Sequence, residues 1–237
     1  MTTTTTPRDE IVDASATSNW SETRLARPQG RPCLSDNNKD VLGALLDAAS
    51  ECLDKAESSR VTGRQIAEMA GVSQAMINYY FEGKEGLLAS LLERDYQSLT
   101  RKLDAFHKSI EADTEGSPQC SIEAVLDLME THFRERNGLI VLIHNEAMRE
   151  GSAVNKIYVS RLASRGYTVV VRIMGALMRK GRCRADLTPE QAAYFVCSLC
   201  TIPLMIFPIF QAAFNSDLNG EAHNIRRRAV ARLLEPC

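Results

Sequence analysis

Apolar residues recur every three to four positions along most of this chain, and strand-like alternation is absent over any useful length. The helical spacing runs from Val41 to Leu53, from about Glu85 to Ile110, and through several later segments. Glycine and proline are modest in number and cluster between the periodic segments. The pattern predicts an all-α protein of about nine helices.

Two short helices joined by a tight turn are predicted between Val61 and Leu92. Thr62 can cap the first helix, and Gln65 three residues later completes a capping box. Gly71 is expected to end that helix, because glycine enters the left-handed backbone region without a Cβ penalty. Ser73 is expected to cap the second helix. A longer helix follows, and the three together form a helix-turn-helix pattern.

The second helix of this motif has an inner and an outer face. The residues whose spacing directs them inward are Val72, Met76 or Ile77, and Phe81. The residues left facing outward are Gln74, Ala75, Asn78 and Tyr79. An outward face of amide, methyl and phenol groups suits base edges and phosphates in a DNA major groove.

The run I-A-x-x-A-G-V-S-x-x-x-I-x-Y-Y-F-x-x-K-x-x-L, from Ile66 to Leu87, resembles the DNA-binding domain of the TetR family of bacterial transcriptional regulators. The match extends with gaps from Val41 to Leu92, roughly a fifth of the chain. Asn78 departs from the family pattern, in which an aromatic residue usually stands at this position and commonly touches the DNA backbone. Asn78 could instead pair with an adenine edge.

The resemblance implies roles for particular side chains. The residues expected to touch bases are Ser73, Gln74, Ala75 and Asn78. The residues expected on phosphates are Thr62, Tyr79, Tyr80 and Lys84. Lys84 stands at the start of the long helix, where its ammonium can meet a phosphate beside the exposed amides of the helix N-terminus.

We expect three parts in the chain: a disordered arm over residues 1–34, a DNA-binding domain over residues 35–92, and a helical effector-binding and dimerisation domain over residues 93–237. The arm is rich in Thr, Ser and Ala and lacks a sustained apolar period. Arg27 and Arg31, with Arg24, could enter a minor groove as a cationic arm. A solvated basic linker is the alternative, and the sequence favours neither.

Proline and glycine set the helix boundaries expected in the second domain. Ser117-Pro118 predicts a helix start, and Asn137-Gly138 is expected to break that helix. Thr188-Pro189 opens a long apolar helix that Pro203 and Pro208 are expected to kink or split.

The segment AAYFVCSLCTIPLMIFPIF is apolar nearly all round, which indicates burial on more than one side. The resemblance implies a homodimer through this helix and the last one, which is expected from Asp217 to about Leu234. Such a dimer would place two recognition helices on the half-sites of a palindromic DNA operator. A central core helix in a monomer is the alternative.

A small-molecule effector site is expected among the later helices, and such a site requires a mostly apolar cavity with a few polar groups. Its candidate residues, chosen by position, are His132, Asn145, Met148, Tyr158, Tyr167, Arg172 and Met174. For each of them an ordinary core or surface role is the alternative.

Three cysteines suggest an alternative function, in which the protein is a regulator that senses redox state through its thiols. Cys197 and Cys200 have a spacing that redox and zinc sites use, but no second pair follows at a familiar distance. Buried structural thiols are therefore favoured for this pair. Cys183 lies between two arginines that could lower the pKa of its thiol, although an exposed turn cysteine without a role is favoured.

Charge gives little support to DNA binding. The formal net charge is -2, and between Lys39 and Asp104 eight Lys or Arg stand against eleven Asp or Glu. Locally placed cations, and not the domain sum, decide phosphate contact. A helical interaction protein without DNA function stays an alternative on this ground.

Several classes of function and location lack their usual signals. We find no catalytic arrangement, phosphate-binding glycine loop or nucleotide motif, so we expect no enzyme activity, cofactor or metal. Neither a signal peptide nor an apolar run of about 20 residues occurs, so we expect a cytoplasmic protein without a membrane partner.

Overall fold

The computed structural model describes residues 36–55, 61–214 and 221–236, and in these ranges the chain forms α-helices and no strand. Two π-helical turns, Ile143–Ala147 and Tyr158–Ala163, extend or connect helices. The second joins the segments Ala153–Ile157 and Ser164–Arg179 into one continuous helix. With these two segments counted as one, the described residues contain nine helices, as the sequence predicts. The helices are α1 (Asp36–Lys55), α2 (Gly63–Met69), α3 (Ala75–Phe81), α4 (Lys84–Ala112), α5 (Ile122–Glu135), α6 (Asn137–Leu142), α7 (Ala153–Ile157), α8 (Ser164–Arg179), α9 (Pro189–Phe214) and α10 (Glu221–Leu234).

The helix-turn-helix motif forms largely as its local signals predict. The Gln65 amide donates to Thr62 Oγ1 at 3.2 Å, and the Thr62 amide donates to Gln65 Oε1 at 2.8 Å, which completes the capping box. Gly71 adopts a φ of 67° in the turn after α2. The predicted cap at Ser73 is wrong, because Gln74 holds the N-cap position of α3 with a helical backbone and without a side-chain cap bond.

Helix α4 connects the two halves of the described structure. It packs against α1 and α3 on one side and against α5, α7 and α8 further along. Its buried residues in the first half include Leu88 and Leu92, and those in the second half include Leu99, Leu103 and Ile110. One stiff helix therefore supplies core residues to both halves.

The segment before α5 is a loop, so the predicted helix start at Ser117-Pro118 is wrong. Arg182 donates to the carbonyl oxygens of Ser117 and Cys120 and to the Asp113 carboxylate, at 3.2, 2.6 and 2.5 Å. These bonds hold the backbone outside a helix. Helix α5 instead begins at Ile122, where Ser121 Oγ accepts the Ala124 amide at 3.2 Å.

Helix α5 ends close to the predicted break, at Glu135, and Arg136 separates it from α6. Asn137 and Gly138, which were expected to break the helix, lie in the first turn of α6. The Gly138 amide donates to Asp54 Oδ1 at 2.6 Å. A Cβ at this position would lie 2.7 Å from the Cβ of Leu53. Glycine is therefore required here because the end of α1 approaches α6 closely.

Proline does not split α9, which runs unbroken from Pro189 to Phe214. Pro203 has no amide hydrogen to donate to the carbonyl of Leu199 four residues earlier. Arg226 of α10 donates to that carbonyl at 2.6 Å and to the buried Glu130 carboxylate at 2.6 Å. The carbonyl that proline leaves free is thus satisfied from a neighbouring helix. The predicted start of α10 at Asp217 lies outside the described residues.

A close backbone contact fixes the angle between α3 and α4. A Cβ on Gly86 would lie 1.8 Å from the carbonyl oxygen of Phe81. We expect Gly86→Ala to destabilise the chain by at least about 2 kcal/mol, because the contact atom is backbone and cannot rotate away. The free energy of unfolding in urea measures this change.

Gly43→Ala provides the matched control, because nothing lies within 4 Å of a Cβ at this α1 position. The control should leave stability equal or raise it by up to about 1 kcal/mol, through the better helix propensity of alanine. Equal stability of the two alanine variants would contradict the close approach of α3 and α4.

His132 is fully buried, and neither ring nitrogen makes a hydrogen bond to a described residue. Burial lowers the pKa of His132 to about 4. Lys102 and Arg136 also lower this pKa, and together they outweigh the backbone of Asp95 and the Glu135 carboxylate, which raise it. Because the folded pKa lies below the unfolded value, the unfolded chain binds more protons at mildly acidic pH. Stability attributable to His132 is therefore present above about pH 6.5 and is lost as the pH falls towards 4.

We expect His132→Leu to reduce this acid sensitivity by about 1.4 kcal/mol per pH unit at most. The measurement is the difference in unfolding free energy between wild type and variant at several pH values from 7 to 4. A difference that does not change with pH would show that His132 is not held neutral in the folded chain.

Candidate nucleic-acid interface and ligand cavity

Helix α3 presents the predicted outer face to solvent. Gln74, Ala75, Asn78 and Tyr79 are exposed, Tyr80 is half-buried, and Ile77 is buried with Phe81. Of the two alternatives for an inward position, Ile77 points inward and Met76 outward. The rings of Tyr79 and Tyr80 meet edge to face, with centroids 4.8 Å apart.

Two contacts bring the candidate DNA-binding residues onto one edge. Gln74 Nε2 lies 3.7 Å from the position a Cβ on Gly63 would take, next to Thr62 at the start of α2. Asn78 Oδ1 lies 3.8 Å from the corresponding position on Gly83, which precedes Lys84. The helix starts of α2 and α4 thus flank the exposed face of α3.

The start of α4 is open to an anion. Gly83 is its N-cap and has no side chain to bond the first amides, and Lys84 follows directly. The nearby Glu85 is paired with Arg149 at 3.0 Å, which offsets its charge.

One exposed cation on this edge is missing from the sequence-based set. Arg64 lies in the first turn of α2, two residues after the capping Thr62. Its place in the sequence, in the first turn of the helix that Thr62 caps, could have indicated Arg64 as a phosphate contact. Arg27, Arg31 and Arg24 lie outside the described residues.

A cavity of about 410 Å³ lies among α4, α5, α8, α9 and the second π turn. No charged side chain is among the described residues that line it. Its size is within the range of small-molecule sites. The lining residues are Tyr96, Leu99, Leu103, Met129, Phe133, Tyr158, Ala163, Ser164, Gly166, Tyr167, Val170, Cys197 and Thr201.

Of the seven effector candidates, Tyr158 and Tyr167 line this cavity. His132 and Met174 are buried elsewhere in the core, and Arg172 forms an ion pair with Asp104. Asn145 and Met148 are exposed, at the first π turn and just after it.

Tyr96, Ser164, Cys197 and Thr201 are polar lining residues that were absent from the sequence-based prediction. For Tyr96 a signal existed, since it precedes Leu99 by three residues and Leu103 by seven and so shares their helical face. Cys197 and Thr201 line the cavity because of how α9 crosses α8, which the local sequence does not determine.

Hydroxyl groups form the polar part of the cavity. Tyr96 Oη and Tyr158 Oη lie 3.1 Å apart, and their rings pack edge to face. Burial raises the pKa of Tyr96 well above its ordinary value, so its hydroxyl stays neutral. Tyr167 Oη donates to the Glu190 carbonyl at 2.7 Å.

The cysteines lack the surroundings of reactive thiols. Burial raises the pKa of Cys197 to about 11 and raises that of Cys200 as well. The expectation of an exposed Cys183 is wrong, and burial raises the pKa of its thiol too. The adjacent Arg184 amide donates to the carbonyl of Leu234 at 2.9 Å, which draws the turn against the end of α10. In the described ranges we find no group of three side chains suited to a metal ion.

Large apolar side chains on α9 and α10 are exposed in the single chain, which is unlike a central core helix. These residues are Tyr194, Phe195, Ile202, Ile206, Ile225 and Leu233. We call them the apolar face.

Comparison with known proteins identifies both halves of the chain. Residues 45–91 match the family model "Bacterial regulatory proteins, tetR family", and residues 118–232 match "Tetracyclin repressor-like, C-terminal domain". The chain is 21% identical over 174 residues to the probable HTH-type transcriptional regulator YttP of Bacillus subtilis, a match covering 73% of this chain and 79% of YttP.

A second relative is the HTH-type transcriptional regulator BetI of Escherichia coli, 36% identical over 83 residues. That match covers 35% of this chain and 41% of BetI, so it spans less than half of the relative's length. The crystal structure of the transcriptional regulator FadR from Bacillus subtilis in complex with stearoyl-CoA has the same fold. Its TM-score is 0.59 at 16% identity, over 80% of this chain and 97% of FadR.

None of the helices in the described ranges combines the length and apolar content that crossing a bilayer requires. The helix-turn-helix geometry, the cavity in the second half and the two family matches agree with one another. The chain belongs to the TetR family of bacterial transcriptional regulators, with a helix-turn-helix DNA-binding domain and a ligand-binding C-terminal domain.

Proposed function

We propose that this chain is a one-component repressor that binds a palindromic operator as a homodimer and is released by a small molecule held in the cavity. It acts in the cytoplasm, by binding alone, without a catalytic step or a cofactor. The main support for the proposal is that one helix reaches both sites. Helix α4 has Lys84 at its start, and its residues Tyr96, Leu99 and Leu103 line the cavity. The domains meet within this helix, near residue 92.

On the operator, α3 enters the major groove with its exposed face towards the bases. Gln74, Ala75 and Asn78 contact base edges, with Ser73 at the rim of the same face. The groups on phosphates are Thr62, Tyr79, Tyr80 and Lys84, with Arg27 and Arg31 on the arm. Because the domain is acidic in sum, these few cations supply most of the phosphate attraction.

Two copies pair through the apolar face of α9 and α10. Exposed aromatic and aliphatic side chains in such number favour a protein interface over a solvated surface. A two-fold dimer then presents two α3 helices to half-sites about one DNA turn apart.

Helix α4 connects the cavity to the exposed face of α3 that contacts the operator. Tyr96 lies twelve residues after Lys84, about 18 Å along α4, so tilting the cavity wall moves the helix start. Arg149, which follows the first π turn, bonds Glu85 at 3.0 Å and so ties the second half of the chain to the first turn of α4. Ligand binding that favours one tilt lowers operator affinity, and operator binding lowers ligand affinity by the same factor.

We expect Lys84→Ala and Asn78→Ala to separate phosphate contact from base reading. Lys84→Ala should weaken binding to all duplexes and reduce the slope of log affinity against log salt by about 1. Asn78→Ala should relax preference at particular base pairs, at a cost of about 1–3 kcal/mol on the selected sequence. Selection from random duplexes followed by affinity measurements at several salt concentrations provides both values.

Lys108→Ala is the matched control, since it removes the same charge from the exposed far end of α4. It should leave both affinity and salt slope unchanged. If Lys84→Ala and Asn78→Ala weakened every duplex equally, the assignment of separate roles would be wrong.

We expect Ile202→Lys to break the homodimer, because two like charges would be buried in one apolar interface. Ile202 is 52% exposed in the single chain, and the dissociation constant of the dimer should rise by roughly two orders of magnitude. Sedimentation equilibrium measures this constant.

Val159→Lys places the same charge at a similarly open position, 59% exposed, on the second π turn and outside the apolar face. This control should remain a dimer. A dimer of unchanged affinity in Ile202→Lys would remove the apolar face as the pairing surface.

A further inference from the structure

The charges around the cavity limit what it can hold, an inference that rests on this cavity being the effector site proposed above. Its described lining residues carry no formal charge, and the nearby Arg172 and Arg226 are paired with Asp104 and Glu130. Burying a charged group without a partner is strongly unfavourable. A charged molecule inside the cavity would find no counter-ion among these residues.

The number of hydroxyl hydrogens on the cavity wall decides which polar groups can still donate to a ligand. Tyr96 and Tyr158 have two hydroxyl hydrogens between them, and their mutual bond at 3.1 Å uses one. No other described residue accepts a hydrogen from either hydroxyl. One O–H group is therefore left to donate into the cavity.

Two of the other three hydroxyls on the wall, those of Thr201 and Tyr167, are already engaged as donors. Thr201 Oγ1 donates to the Cys197 carbonyl at 2.8 Å, within its own helix. Tyr167 Oη donates to the Glu190 carbonyl. Ser164, the first residue of α8, is exposed to solvent. Apart from the exposed Ser164, the tyrosine pair is thus the described hydroxyl group on the wall that still has a hydrogen to donate.

We propose that the cavity binds an uncharged, largely apolar small molecule whose carbonyl or ether oxygen accepts a hydrogen bond from the Tyr96–Tyr158 pair. Aromatic and aliphatic walls, including Phe133 and Leu103, hold the apolar body. The oxygen fixes its orientation, because an acceptor elsewhere in the cavity would leave water without replacing its hydrogen bonds.

Four probes that share one apolar body test this proposal: 2-acetylnaphthalene, 2-ethylnaphthalene, 2-naphthoate and 2-naphthylmethylammonium. Each is titrated by calorimetry into the full-length protein without DNA. The ketone and the hydrocarbon should bind, and the anion and the cation should bind at least about 10-fold more weakly than the ketone.

Phenylalanine variants of the tyrosine pair distinguish donation from packing. In either single variant the remaining hydroxyl no longer bonds its neighbour and can still donate to the ketone. In the double variant Tyr96→Phe/Tyr158→Phe, the preference for ketone over hydrocarbon should fall by roughly 3- to 10-fold. A purely structural role would weaken both probes together.

Gly166→Ala locates the binding event. Its methyl group would lie 3.7 Å from Cε1 of Tyr96, an ordinary contact that narrows the cavity without a clash. Binding of both uncharged probes should weaken by at least about 3-fold, with circular dichroism and melting temperature confirming an intact fold.

Three results would overturn the ligand class: tighter binding of a charged probe, no binding of any probe, or an unchanged ketone preference in the double variant. Unchanged affinity in Gly166→Ala would place the binding outside this cavity and overturn it too. The effect of the ketone on operator affinity is a separate readout. Ketone binding without operator release would keep the ligand class and remove the proposed coupling.

Discussion

The unbroken backbone of α4 is the constraint on which both halves of this regulator depend. Leu88 and Leu92 belong to the core under the helix-turn-helix motif, and Leu99 and Leu103 belong to the wall of the cavity. Gly86 brings α3 against the first turn of the same helix, so the position of the recognition helix follows that of α4. A helix with continuous hydrogen bonds bends little over this length, so we expect a shift at the cavity wall to move the start of α4 and the recognition helix beside it.

Polar contacts set the register of the helices, while the apolar core supplies most of the favourable energy. Asp54 binds the Gly138 amide, and Asp95 binds Arg136 at 2.7 Å, so α1 and α4 are both tied to the α5–α6 junction. Burial raises the pKa of Asp95, and Arg136 and Arg94 oppose that rise. Breaking one partner of such a pair costs more than the pair contributes, which favours one arrangement of the helices over nearby alternatives.

Features set by neighbours in the sequence were predictable, and features set by distant residues were not. The Thr62–Gln65 capping box, the turn at Gly71 and the Thr188 start of α9 depend on residues within a few positions. The loop before α5 depends on Arg182, and the intact α9 depends on Arg226, each supplied from a distant element. The cavity lining could be predicted only in part, for the same reason. Tyr158 and Tyr167 were in the predicted set, but Cys197 becomes a lining residue only because α9 crosses its neighbours there.

The central claim is that ligand in the cavity moves the two recognition helices of a dimer. Spin labels on Met76→Cys, exposed on α3, would measure their separation in a chain that also carries Cys33→Ser and Cys237→Ser. The measurement compares the free dimer with the dimer saturated by a ligand whose binding is weakened by Gly166→Ala. The account predicts a changed separation together with reduced operator affinity, whereas reduced affinity at an unchanged separation would contradict it.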